Sequence, residues 1–398
     1  MPIDDASDPF QQIVYASKAP DVLLAYISGR KFENGVNQPP VAYLAIYDER
    51  DFSTYEKFQF SGDDIESVGR ESDGTTKSII TDGNGIIWCI FTEDDPNDRT
   101  RSAYKVVRVD VETRTVTNSG TAAFENGTST TDIRDVSGCL AGGSLYLCDA
   151  ISVYKLDATT LAQTGKTSLP GPSITNTYIK SNEVPIASDG NRVFVVQSYS
   201  GFNEDDGANE NGAVSTKIIE VNTQTLGLST VSSNSRTTGT GISSKVLEKP
   251  SVAGTVVRNG ICYAGVTSSR SENDISGFIM SSSGLRQGYG RTSFFQFPSF
   301  VLCANVDGVF MAVHNAFDFT YIVKLDESDL SVSGFLTEPG EIKTSLVGGS
   351  RGFFANGDEF LSEYKTNPLS LKSQISHPSS ESYFIDQSNF TFYEVDSL

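Results

Sequence analysis

The sequence predicts an all-β chain built from one short-stranded unit repeated from end to end, and three observations carry the prediction. First, apolar strands closing on Asp or Asn recur: Tyr-Lys-Val-Val-Arg-Val-Asp at 104–110, Val-Tyr-Lys-Leu-Asp at 153–157, Lys-Ile-Ile-Glu-Val-Asn at 217–222 and Tyr-Ile-Val-Lys-Leu-Asp at 321–326. Second, each is followed by a tight polar turn and another strand, with a period of roughly 40 to 50 residues and four strands per period. Third, the composition suits strands and turns: 38% hydrophobic, 20% charged and 35 Gly in 398 residues. A four-stranded unit of that size cannot bury both of its faces alone, so its neighbours must supply the core, which is how a β-propeller is built. The expectation is a single propeller over residues 1–398 with seven four-stranded blades, six being the alternative count.

The blades fall at approximately 10–61, 77–123, 136–169, 184–232, 250–294, 299–337 and 345–398. Alternating apolar positions place the strands of the first two at 13–17, 22–28, 41–48 and 55–60, then 78–81, 86–92, 103–110 and 116–122. The third uses 138–141, 144–148, 152–157 and 162–168, and the fourth 185–188, 192–197, 215–221 and 228–232. The fifth has clear inner strands at 252–257 and 261–266 and weaker outer ones near 277–280 and 288–293. The sixth uses 300–305, 309–314, 320–326 and 331–336; the last 352–355, 359–364, 382–386 and 390–395. In the six-blade alternative, residues 13–17 complete the last blade instead of opening the first. First-to-second-strand turns such as Asp82-Gly83-Asn84-Gly85 supply the positive φ that tight hairpins need. Third-to-fourth turns open on Asp or Asn, as in Asp157-Ala158-Thr159-Thr160 and Asn222-Thr223-Gln224-Thr225, because that side chain caps the following amides.

A formal charge of −20 excludes the basic patch that nucleic acid requires and disfavours anionic membranes. The chain opens on Met1-Pro-Ile-Asp-Asp, unlike a secretory leader, and no stretch is apolar for long enough to span a bilayer, so a soluble protein is expected, virion-associated if viral and otherwise cytoplasmic. Cys89, Cys139, Cys148, Cys262 and Cys303 sit mostly in apolar strands and read as buried thiols. A Cys139–Cys148 bridge is the minor reading, since their register about Gly142-Gly143 is offset.

The length is unevenly placed. Short turns join first to second and third to fourth strands, while the long segments fall in second-to-third loops (29–40, 93–102, 199–214, 268–276) and in crossings between blades (62–77, 120–136, 170–184, 233–250). In a propeller those two sets share one face. Long loops cost closure entropy and add no core, so the face that gathers them is the expected recognition surface. The candidate binding residues there are Phe32, Asp94, Asp95, Tyr199, Phe202, Asp205, Asp206, Glu210 and His314. The acidic stretch 203–210 does not match the calcium-loop spacing, so no metal is expected; were calcium to bind, Asp205, Asp206 and Glu210 would be its ligands. With only His314 and His377 present, a three-His centre is impossible, and Gly-x-Ser-x-Gly, phosphate-loop and paired-Cys motifs are absent.

In blade pattern, residues 144–168, 192–232 and 309–336 resemble the quinoprotein-like and WD-repeat-like β-propellers. The resemblance implies the fold and no site residues, because no Trp-Asp ending or tryptophan docking motif repeats and Trp88 is the single Trp. A non-catalytic assembly or recognition module is therefore expected, binding structural proteins or glycans, with a bacteriophage capsid or tail as its context. The alternatives are a hydrolase or lyase with an axial site and a glycan-binding propeller.

Overall fold

The structure, a computed structural model, describes residues 11–16, 22–29, 32–33, 36–37, 41–48, 51–59, 76–94, 102–123, 136–149, 151–170, 178–180, 185–202, 212–238, 249–269, 275–289, 300–314, 319–339, 343–349, 352–357 and 360–376. Side chains are described at intervals between Ile79 and Gln374, so the first sheet is backbone alone. Every regular element described is a strand, and no helix is long and apolar enough to cross a membrane among the described residues.

The strands form antiparallel sheets in chain order. Sheet 1 holds β1 (Gln11–Ala16), β2 (Val22–Gly29), β5 (Val41–Asp48) and β6 (Asp51–Gln59), with a small hairpin of β3 (Phe32–Glu33) and β4 (Val36–Asn37) between β2 and β5. Sheet 2 holds β7 (Thr76–Thr81), β8 (Ile86–Asp94), β9 (Ser102–Asp110) and β10 (Thr115–Ala123). Sheet 3 holds β11 (Ser137–Ala141), β12 (Ser144–Cys148), β13 (Ser152–Asp157) and β14 (Gln163–Ser168). Sheet 4 has five strands: β15 (Tyr178–Lys180) and β16 (Ile186–Ser188) both pair with β17 (Val193–Phe202), followed by β18 (Gly212–Val221) and β19 (Leu228–Thr238). Sheet 5 holds β20 (Lys249–Arg258), β21 (Ile261–Ser269), β22 (Ile275–Ser281) and β23 (Arg286–Tyr289). Sheet 6 holds β24 (Phe300–Asn305), β25 (Gly308–His314), β26 (Phe319–Leu325) and β27 (Val332–Pro339). Sheet 7 holds β28 (Lys343–Gly349), β29 (Gly352–Gly357), β30 (Phe360–Thr366) and β31 (Leu369–Ser376). The first strand of each sheet lies beside the first strand of the next, and β28 lies beside β1, which makes the architecture propeller-like.

The core sits between sheets. Alternation along a strand sends its apolar side chains to both faces, and each face meets a neighbour. Trp88 and Ile90 of sheet 2 meet Leu145 and Leu147 of sheet 3, and Tyr146 and Val153 of sheet 3 meet Val193 and Val195 of sheet 4. Phe194 and Val196 then meet Val257 and Cys262, and Tyr263 and Ile279 meet Leu302 and Met311. Between sheets 6 and 7, Phe310 stacks on Phe353 at 4.8 Å, and Phe353 on Tyr364 at 4.9 Å. Near the start of the second strand of sheets 2, 3, 5 and 6, and of β17 in sheet 4, an aromatic residue (Trp88, Tyr146, Tyr263, Phe310 and Phe194) thus turns toward the following sheet. Three of these also donate hydrogen bonds to its third-to-fourth turn: Trp88 Nε1 to the Ala158 carbonyl at 2.8 Å, Tyr146 Oη to the Thr223 carbonyl at 3.0 Å and Tyr263 Oη to the Glu327 carboxylate at 3.3 Å.

The turns behave as their leading residues require. Asp157 Oδ1 accepts the amides of Thr159 and Thr160 at 3.0 and 2.7 Å, and Asn222 Oδ1 those of Gln224 and Thr225 at 3.0 and 2.9 Å. Four residues after the cap, Leu161, Leu226 and Leu330 take positive φ of 59°, 59° and 65°. This conformation is unfavourable for a branched side chain. It persists because the leucine is a plug: Leu161 joins the Trp88 core and Leu330 the Tyr263 core. The preceding sheet leaves room by carrying glycine, since a Cβ on Gly165 would stand 2.5 Å from Leu226 Cδ1 and one on Gly120 2.9 Å from Leu161 Cβ.

Several expectations need correction. The last sheet begins one strand earlier than expected: residues 352–355 fall in its second strand, and Lys343–Gly349 is its first. Gly348-Gly349 reads locally as linker, yet a Cβ at Gly348 would run into the Ala304 carbonyl of sheet 6, so the close approach of the two first strands demands glycine. The strands expected at 382–386 and 390–395 lie outside the described residues. β1 pairs with β2, Ile13 opposite Ala25, and does not complete the last sheet. Residues 199–202 and 212–214, expected as loop, and 233–238, expected as part of a crossing, are paired strand; in 233–238 a Ser- and Thr-rich composition fits a sheet as well as a turn. β23 starts two residues before the expected strand at 288, and β15 was not foreseen. None of the five cysteines is in a disulfide and all are buried; Cys139 faces Tyr146 and Cys148 faces Ser137, two positions apart in register.

Candidate functional site

Two ends of the sheets differ in kind. At one end lie the first-to-second and third-to-fourth turns, whose polar groups are largely used between sheets. The Gly142 amide donates to the Gly190 carbonyl at 2.9 Å, and Arg192 Nη1 to the Gly260 carbonyl at 2.5 Å. Arg258 donates to the carbonyls of Asn305 and Val306 at 2.7 and 2.9 Å and also pairs with Glu327. Asn305 Nδ2 reaches the Gly352 carbonyl at 2.7 Å, and Thr366 donates to Asp307. These links run without a gap from sheet 3 to sheet 7. Charge follows the same logic: hydrogen bonding from Arg192 holds the Glu220 carboxyl below the usual range, and burial first, then Glu327, pushes the Tyr263 phenol up to about 12. This end is fastened to itself.

The opposite end carries the second-to-third connections. There Phe32 lies in β3 opposite Asn37, Asp94 ends β8 opposite Ser102, and His314 ends β25 opposite Thr320. Tyr199 lies in β17 between Lys180 and Ser215, and Phe202 closes the same strand opposite Gly212. The backbone thus brings these five positions to the same end of sheets 1, 2, 4 and 6. Asp95, Asp205, Asp206 and Glu210 lie outside the described residues.

Sheet 4 dominates this end. β17 has 10 residues where β12 of the neighbouring sheet has 5, and both start from tight turns, so at about 3.3 Å per residue sheet 4 overhangs sheet 3 by roughly 17 Å. β15 pairs with the overhanging part, Tyr199–Gly201, and β16 with the lower part, Val193–Val195. At the foot of the overhang the strands change character. Val195 and Val196 are core, whereas Gln197 and Ser198 follow, both buried. The Ser198 and Thr216 hydroxyls bond to each other at 2.8 Å, while the Gln197 carboxamide and the Thr255 hydroxyl on β20 have no hydrogen-bond partner. An unsatisfied buried polar group costs about 1–3 kcal/mol, so the Gln197 carboxamide and the Thr255 hydroxyl add no stability through hydrogen bonds among the described residues. Sequence reading singled out none of the four; the visible signal was the switch from Val-Val to Gln-Ser within one strand. Among the described residues no group of three His, Cys, Asp or Glu is placed to hold a metal ion.

No protein-family model and no curated protein matches the chain. Among solved structures it is similar to a eukaryotic initiation factor, with TM-score 0.40 and 10% identity over 94% of this chain and 78% of that one. It is also similar to Kluyveromyces lactis Hsv2p, with TM-score 0.45 and 10% identity over 92% of this chain and 99% of that one. The SapL1 lectin in complex with alpha methyl fucoside gives TM-score 0.38 and 9% identity over 93% and 97% of the two chains. Likeness at this level says nothing of what this chain binds.

Proposed function

We propose that the chain is one seven-bladed propeller over residues 1–398 that acts without catalysis as an assembly or recognition module, meeting a partner protein through the end that carries the second-to-third loops. One contrast carries the reading: the turn end is fastened to itself, whereas the length and the overhang of sheet 4, with the unsatisfied Gln197 carboxamide at its foot, belong to the other end. Phe32, Asp94, Asp95, Tyr199, Phe202, Asp205, Asp206, Glu210 and His314 are its proposed contact positions, with no metal taking part. Glycan is the alternative ligand. The setting we propose is a bacteriophage particle, on the strength of an acidic composition rich in Ser, Thr, Asn and Gly.

Cross-linking mass spectrometry on material isolated at native abundance tests this. Links to other chains should fall on Lys180, which ends β15, and Lys249, which begins β20, and spare Lys324 and Lys365 near the turns. A chain that runs as a lone monomer, or links gathered on the turn end, would contradict the proposal, and saturable binding on a glycan array without a protein partner would replace the partner with glycan.

A further inference from the structure

Among the described residues four large hydrophobic side chains are exposed: Val306 at 65%, Val332 at 47%, Phe335 at 67% and Leu371 at 42%. All four belong to sheets 6 and 7. Val306 stands on a turn, but the other three lie on the outermost strands, β27 and β31, which neighbour each other at the rim. An outermost strand offers a row of backbone donors and acceptors to any strand that comes alongside, and proteins usually guard it with charge, above all lysine. β31 carries Lys372, β14 Lys166, β19 Arg236 and β6 both Glu56 and Lys57. β27 departs from this. From Val332 to Thr337 it reads Val-Ser-Gly-Phe-Leu-Thr with no charge, and the next residue, Glu338, is buried with Tyr364 Oη donating to it. Pro339 then ends the strand without an N–H.

The uncharged strand also says which partner fits. Each chain carries a net charge of −20, so two copies repel over most of their surfaces and can meet closely only where charge is missing. β10 is uncharged too, but it offers no exposed aromatic or leucine side chain. Antiparallel pairing about a two-fold axis presents a strand to itself, so one permissive edge serves both copies. We infer that β27 is a self-association edge, pairing antiparallel with β27 of a second copy of this chain and covering Phe335 and Val332 from both sides. The inference concerns the rim and does not depend on what meets the loop end.

Sedimentation velocity on the full chain from about 1 to 100 µM, with Phe335→Glu, Val332→Lys and Val306→Glu, decides it. The unaltered chain and V306E should form a concentration-dependent dimer. F335E should weaken it by on the order of a hundredfold or more, because two Phe side chains leave the interface together and two like charges replace them. Both substituted edge side chains are exposed, so melting temperature should hold; if F335E lowers it, V332K takes its place as the deciding variant. A chain that stays monomeric at 100 µM overturns the inference and leaves the edge to a strand from another protein or from residues 377–398. A dimer that survives both edge substitutions in folded protein overturns it as well.

Discussion

The same turn conformation should respond to glycine with opposite signs at two positions. Arg114 and Leu330 each stand four residues after a capping Asp, with φ of 54° and 65°. For a residue with a Cβ this left-handed conformation costs roughly 1–2 kcal/mol, which glycine recovers. Leu330 is fully buried against sheet 5, so Leu330→Gly also forfeits a burial and cavity term of about 2.7–5 kcal/mol. The net expectation is a loss of about 1–4 kcal/mol. Arg114 is exposed, its contacts are surface contacts worth little, and Arg114→Gly should therefore gain about 0.5–1 kcal/mol. Urea titration followed by Trp88 fluorescence reads both, since Trp88 is buried between sheets 2 and 3 and hydrogen-bonded to Ala158. Equal slopes with midpoints shifted in opposite directions support the account. A stabilised L330G, or an R114G that loses more than about 1 kcal/mol, would show that the leucine is not a plug or that the turn is not strained.

Three other outcomes are expected. Gly348→Ala should cost about 3 kcal/mol or prevent folding, because its Cβ meets a backbone carbonyl of sheet 6, whereas Gly143→Ala, with open space around φ +74°, should cost about 1 kcal/mol; similar losses in thermal melts would refute the close approach. The Asp157 and Asp326 carboxyls are held below their ordinary range by hydrogen bonds from Thr160 and Ser328, so their stabilisation is present above the unfolded value near 4 and is lost as pH falls through the lower folded one. Melting temperatures of the Asp157→Asn, Asp326→Asn double variant should consequently trail the parent at pH 7 and converge with it by about pH 2, and parallel pH profiles would contradict this. Calcium and chelator should each leave the melting temperature within about 1 °C; a calcium-dependent rise abolished by Asp205→Asn and Asp206→Asn would establish the metal site that the loop spacing argues against.

The sequence made the middle of the ring plain and blurred its edges for physical reasons. Sheets 3 and 6 alternate cleanly because both faces of each meet apolar neighbours, and Asp or Asn caps mark where third strands stop. The aromatic series Trp88, Tyr146, Phe194, Tyr263 and Phe310 was also visible, but what is retained is a shape facing the next sheet and not one residue type, so it escapes a search for a fixed motif. Gly348 was illegible because its cause is a carbonyl more than forty positions away, on Ala304. The overhang of sheet 4 misled because hydroxyl-rich strands and hydroxyl-rich loops have the same composition, and only pairing separates them. Of the candidate contacts, those at strand ends could be placed and the acidic stretch at 205–210 could not.

β1 joins β2 and β31 joins β30, so among the described residues no strand is lent across the boundary between the last sheet and the first. Every other boundary is bridged by continuous polypeptide; at this one the described strands β28 and β1 meet by contact. Among the described strands the ring is in that respect a split washer and not a welded hoop: mechanical opening, or a change in diameter to accept a bulky neighbour, should begin at the seam between β28 and β1.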